Sequence, residues 1–170
     1  MNIILCGMMG AGKTTVGIQL ALLSDRCWMD TDNLIAKDYG EITTIFERFG
    51  EDYFRKLETR TVEDLVQEDN LVVSVGGGLI LDEDNVSLLK ENGKIFYLRA
   101  SVDTLVQRLK EDTTRPLLQT NGENLTDKLT KMLEERAPVY ESVADFTIDV
   151  EGKLPGQIAL EIMMKMDESL

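Results

Sequence analysis

The sequence predicts an α/β protein with a parallel sheet of about five strands and helices on both faces. Three observations predict it. Short, largely apolar runs recur at residues 3–6, 26–29, 71–75, 94–98 and 146–150, a pattern suited to strands buried in a parallel sheet. Segments with helical spacing separate these runs, as crossover connections require. Between the first run and the first helical segment stands Gly7-Met8-Met9-Gly10-Ala11-Gly12-Lys13-Thr14, which reads G-x-x-x-x-G-K-[ST].

Strand, loop and helix in that order form the context a phosphate-binding loop needs. Glycines permit positive φ, so the backbone turns its amides inward as a concave nest of donors. The helix that follows directs its positive end at the same point. Lys13 is placed to reach β- and γ-phosphates, and the Thr14 hydroxyl to serve Mg²⁺. Gly10, Ala11, Gly12, Lys13, Thr14 and Thr15 are therefore the candidate ATP-binding residues of the loop. A glycine-rich turn of accidental composition is the bland alternative, and the correct flanks disfavour it.

The chain has 170 residues and a net charge of −13. That length suits a single domain with a full core. Strong acidity argues against nucleic acid as a partner, because a phosphate backbone calls for a basic face. The loop nevertheless requires an anionic ligand, so positive charge must be gathered locally. No apolar run approaches a membrane span. A strand at the N-terminus leaves no room for a signal peptide, and a cytoplasmic location is expected. Cys6 and Cys27 read as buried thiols of a reducing compartment. With no histidine in the chain, histidine bases and histidine metal ligands are excluded.

Each element has its own signal. The first helix should run from the loop to about Leu23, with Val16, Ile18, Leu20 and Leu22 as its apolar positions. The second strand ends at Asp30-Thr31-Asp32, where an open α/β sheet presents ligand-binding side chains. Asp or Thr there is also a good helix N-cap, and the two roles are compatible. Helical patterns follow at about 32–38, 43–49 and 51–67, punctuated by Gly40 and Gly50. Phe54, Leu57 and Leu65 mark the apolar side of the last, where Arg55 and Glu58 lie three apart and can touch. That spacing by itself usually means an exposed ion pair.

The strand at 71–75 runs into Gly76-Gly77-Gly78, more glycine than a tight turn needs. A ligand approaching the backbone is the reading favoured. A polar helix at about 84–91, the strand at 94–98, and a helix opened by Ser101-Val102-Asp103 come next. The last has Leu105, Val106 and Leu109 on its core face, with Arg108 beside them. The polar, proline-containing stretch 111–122 has the size of a lid, with Arg115 either surface decoration or a charge delivered on closure. A helix from about 125 to 140 carries Arg136 near its end, where a cation suits the helix dipole. After the final strand, Pro155 is well placed to open the last helix, expected over 157–166.

Taken together, these residues resemble those of shikimate kinases over essentially the whole chain. The discriminating set is Asp30-Thr31-Asp32, Phe54-Arg55 with Glu58, Gly76-Gly77-Gly78, Arg115-Pro116-Leu117-Leu118, and Glu135-Arg136-Ala137-Pro138-Val139-Tyr140. The resemblance implies a three-layer sandwich like that of nucleoside monophosphate kinases, with strand order 2-3-1-4-5. It implies one P-loop kinase domain spanning 1–170, with shikimate-binding helices at about 31–67 and a lid at about 111–124. The implied reaction moves the γ-phosphate of ATP to the 3-hydroxyl of shikimate, on the route to chorismate and the aromatic amino acids.

Carried over by motif, Asp32, Arg55, Gly77, Gly78 and Arg136 would bind shikimate, and Glu58 would orient Arg55. Asp32 would accept a hydrogen bond from the attacking hydroxyl and serve as its base. Lys13 and Arg115 would stabilise the transferring phosphate, while Arg108 and Pro155 would sandwich adenine. Thr14 would hold Mg²⁺ directly, with Asp30 and Ser74 acting through water. The implied partners are ATP and shikimate alone, with no nucleic acid, no membrane and a monomeric chain. Two other functions compete: a gluconate-like small-molecule P-loop kinase, and a non-catalytic ATP-binding sensor. Retention of Lys13, Thr14, Asp30, Asp32 and Arg115 argues against the sensor.

Overall fold

The computed structural model describes residues 1–110 and 124–168. Five strands pair in parallel in the order β2-β3-β1-β4-β5. They are β1 (Asn2–Cys6), β2 (Cys27–Asp30), β3 (Leu71–Ser74), β4 (Gly93–Arg99) and β5 (Phe146–Asp149). In register, Ile3 lies opposite Val72 and Lys94, so β1 sits at the centre. Every residue of β1 and β3 is buried, which is why both read as unbroken apolar runs rather than alternating ones.

Eight α-helices complete the described chain: α1 (Lys13–Ser24), α2 (Thr31–Tyr39), α3 (Ile42–Phe49), α4 (Glu51–Leu65), α5 (Glu83–Asn92), α6 (Val102–Leu109), α7 (Leu125–Val143) and α8 (Pro155–Glu168). The expected elements all occur, displaced by a few residues at their ends. Asp82, Ser101 and Asn124 cap α5, α6 and α7 by accepting hydrogen bonds from first-turn amides. In α1, Val16 and Leu20 are buried whereas Ile18 and Leu22 are exposed. At about 100° per residue, positions two apart cannot share one face of a helix. The four apolar positions of α1 therefore split, and only half serve the core.

The main core lies around the sheet, with Leu5, Val72, Ile95, Phe96 and Leu98 at its centre. A smaller cluster of Ile35, Ile45, Phe54 and Leu57 joins α2, α3 and α4, with Phe46 and Phe54 4.9 Å apart between ring centroids. This second cluster holds three short helices together beside the sheet's C-terminal edge. Cys6 is buried as expected, and burial pushes its thiol up to about 12. Cys27 is exposed instead. It opens β2, an edge strand, so sheet burial does not reach it. Among the described residues no helix is long and apolar enough to cross a membrane.

Candidate active site

The loops leaving β1, β2 and β3 converge on one cavity of 1210 Å³. It opens where an α/β sheet places its ligands, outside the strand C-termini. The loop after β1 supplies one wall. Gly7, Gly10 and Gly12 adopt φ of 141°, 82° and 97°, a region costly to any residue with a Cβ. No side chain caps α1, and its first turn carries no acid. Its N-terminal amides and partial positive charge are thus left for an external anion. Lys13 Nζ donates to the carbonyls of Gly7 at 2.8 Å and Met8 at 3.0 Å. Arg108 reaches over from α6 and donates to the Gly10 carbonyl at 3.0 Å.

Asp30 accepts from the Asn33 amide and so caps α2, while its other oxygen receives the Thr14 hydroxyl at 3.4 Å. Capping and a place in the cavity wall do coexist there. Thr31, fully buried, accepts the Gly76 amide at 2.9 Å and ties the end of β2 to the triple glycine.

Each of the three glycines makes room for a named side chain. A Cβ on Gly76 would lie 2.9 Å from Asp32 Oδ1 and 3.0 Å from Glu58 Oε1. One on Gly77 would lie 3.4 Å from Arg136 Nη1, and one on Gly78 would overlap the Arg55 guanidinium, 2.6 Å from Cζ. Two carboxylates and two guanidinium groups therefore press against a bare strip of backbone.

Arg55 Nη1 meets Glu58 Oε2 at 2.6 Å, and Nη2 meets Glu51 Oε1 at 3.1 Å. Glu58 is 1 % exposed, so the pair is not the surface bridge that its spacing alone suggests. Burial raises the Glu58 carboxyl to about 7, with Asp32 adding to the rise, although Arg55 and Arg136 pull it down. Burial lowers the Arg55 guanidinium, but Glu58 and Glu51 more than offset this, leaving it above its ordinary value. Arg136 is 9 % exposed, and its Nη1 has no hydrogen-bond partner in the protein. A buried guanidinium nitrogen without an acceptor is costly unless a ligand supplies one.

Most of the expected site residues line this one cavity: Gly10, Gly12, Lys13, Thr14, Thr15, Asp30, Asp32, Arg55, Glu58, Gly77, Gly78, Arg108, Arg136 and Pro155. Ala11 does not, since it is buried and its amide donates to Met8 within the loop. Ser74 is also absent from the wall. Its hydroxyl donates to the Lys13 carbonyl at 2.9 Å and accepts from Trp28 Nε1 at 3.1 Å, fastening β3 to α1 rather than facing the cavity. Arg115 and the lid lie outside the described residues.

The helix-dipole reading of Arg136 fails as well. Helix α7 continues to Val143 and has no basic residue in its last turn. Arg136 faces inward with Tyr140, one turn on, which donates to the Gly77 carbonyl at 2.5 Å. The sequence reading assigned no role to Tyr140 or Glu51. Their i,i+4 spacing from Arg136 and Arg55 was the available signal. Glu41 and Phe46, also on the wall, had none.

The family model for shikimate kinase matches residues 9–167. A shikimate kinase of Thermodesulfovibrio yellowstonii is 41% identical over 98% of this chain and 95% of its own length. One from Sulfurihydrogenibium sp. is 43% identical over 97% of both chains. The crystallised shikimate kinase of Acinetobacter baumannii, in complex with shikimate, superposes with a TM-score of 0.94 at 40% identity, covering 99% of this chain and 93% of that one. The chain belongs to the shikimate kinase family.

Proposed function

We propose that this protein transfers the γ-phosphate of ATP to the 3-hydroxyl of shikimate. One observation carries the reading: a single cavity joins the phosphate-binding loop to a wall bearing Arg55, Arg136 and Asp32. Guanidinium forks match a carboxylate in shape and charge, and two of them flank the glycine strip. The acceptor's carboxylate supplies what the unpartnered Arg136 Nη1 lacks.

In this reading the open amides of the loop and of α1 cradle the phosphates, and Lys13 leaves its carbonyl partners for the β- and γ-phosphate oxygens. Asp32 accepts the hydrogen bond of the attacking hydroxyl and takes its proton as the bond to phosphorus forms. Arg55, held by Glu58 and Glu51, and Arg136 fix the acceptor at the opposite end. Positioning and charge neutralisation do most of the work, as phosphoryl transfer requires little covalent chemistry from the protein. Arg108 and Pro155 border the same cavity and are assigned to the adenine.

The Thr14 hydroxyl and Asp30 carboxylate are hard oxygen donors side by side, the chemistry magnesium takes while keeping most of its waters. Among the described residues no cluster of His, Cys, Asp or Glu offers a more complete cage. Bound there, Mg²⁺ would neutralise charge on the β- and γ-phosphates. Ser74, whose hydroxyl donates to Lys13 and accepts from Trp28, keeps one lone pair with which to accept from a water of that shell.

A coupled ADP-release assay with ATP and Mg²⁺ tests the assignment, comparing shikimate with gluconate, quinate and nucleoside monophosphates. Turnover with shikimate alone is expected. Turnover with a different acceptor would overturn the roles given to Arg55, Gly77, Gly78 and Arg136.

A further inference from the structure

Tyr140 lies behind the cavity wall rather than on it, yet it touches two parts of the acceptor site. Its side chain is fully buried, with its ring 5.0 Å from that of Tyr97. Its hydroxyl donates to the Gly77 carbonyl at 2.5 Å, with Met8 Sδ a further 3.8 Å neighbour. A Cβ on Gly77 would lie 3.5 Å from Tyr140 Oη and 3.4 Å from Arg136 Nη1, so phenol and guanidinium flank the same glycine. Burial raises the phenol well above its ordinary range, although neighbouring Arg136 opposes the rise. The group therefore remains a donor at any working pH.

A trans peptide is planar, so its C=O and N–H point in opposite directions. Tying the Gly77 carbonyl back to Tyr140 turns the Gly78 N–H to the other side. Among the described residues that N–H has no protein acceptor, and Gly78 lines the cavity whereas Tyr140 does not. One hydroxyl thus orients a peptide donor and stands against the guanidinium beside it.

We propose that Tyr140 is a positioning residue that fastens the Gly77–Gly78 peptide and Arg136 as one rigid receptor for the acceptor's carboxylate and hydroxyls. The inference rests on the acceptor assignment above and extends it to a side chain that touches no substrate.

The test is Tyr140→Phe, which keeps the tilted ring contact with Tyr97 and removes only the hydroxyl. Shikimate KM should rise about ten-fold, while ATP KM and kcat stay within about two-fold. Tyr97→Phe, which removes the other hydroxyl of the same ring pair, should leave shikimate KM unchanged. Combined with Arg136→Lys, the tyrosine change should cost less than it does alone, because the two groups act together.

A second measurement needs no variant: the Gly78 amide should gain hydrogen-exchange protection with shikimate and not with ATP. An unchanged shikimate KM in Tyr140→Phe, or equal losses for both substrates and kcat, would overturn the proposal, as would a Gly78 amide indifferent to shikimate. Failure of the wild-type protein to use shikimate would overturn the substrate assignment instead, and this inference with it.

Discussion

Glu58 Oε2 lies 2.6 Å from Arg55 Nη1, with the carboxylate buried and the guanidinium one-quarter exposed. Both groups border the cavity, but the guanidinium is the more exposed of the two, so the pair presents chiefly a cation to the ligand. Glu51 takes the other Arg55 nitrogen from the helix's outer side. Two carboxylates on one helix therefore aim the fork, the first buried, the second exposed.

The pair makes stability depend on pH in a definite direction. Burial lifts the folded-state carboxyl of Glu58 from 4.5 to about 7. The folded protein thus binds this proton more tightly than the unfolded chain, and the associated stability is fully present below about pH 4.5. It is lost as pH rises through about 7. Glu58→Gln removes the dependence, so the melting temperature of wild type minus that of the variant should fall between pH 5 and pH 8. A difference that stays constant, or grows, would show that Glu58 is not held near neutrality.

Gly78→Ala separates folding from binding. The added methyl overlaps the Arg55 guanidinium, the far end of a flexible side chain that can move away. The variant should fold with little change in melting temperature, while shikimate KM rises on the order of ten-fold because the fork is displaced. Normal shikimate affinity would mean that Arg55 binds elsewhere than over this glycine.

Lys13→Ala should reduce kcat on the order of a hundred-fold or more, since a transition-state cation is lost from a pre-organised site. Single-turnover kinetics with shikimate and Mg²⁺·ATP would measure it. Retention of near-normal kcat would remove Lys13 from the chemical step.

Arg136→Ala should raise shikimate KM by about ten- to a hundred-fold and leave ATP KM nearly unchanged. Steady-state assays varying each substrate separately would read the split. Matching losses for the two substrates would indicate damage to the cavity as a whole.

The phosphate-binding loop, the alternation of strand and helix and a parallel sheet of about five strands were legible from the chain itself. They rest on local rules: glycine where φ is positive, continuous apolar runs for buried strands, and helical spacing between them. The resemblance in motif order then supplied the acceptor-side residues. What local pattern could not supply was the surroundings of each group. By spacing alone Arg55 and Glu58 read as a surface pair; the resemblance assigned them to the acceptor, and the packing of α4 beside the glycine strip buries the acid. By position alone Arg136 suits the helix dipole, whereas the resemblance gives it to the acceptor and α7 extends past it; Cys27 reads as buried, whereas β2 lies at the sheet's edge. The partners of the Ser74 hydroxyl, the Lys13 carbonyl and the Trp28 indole, lie far from it in sequence and come together only in the fold. The three glycines announced close approach without saying what approached. Burial, and the direction in which a polar group points, depend on residues distant in sequence, and only the packed structure brings those together.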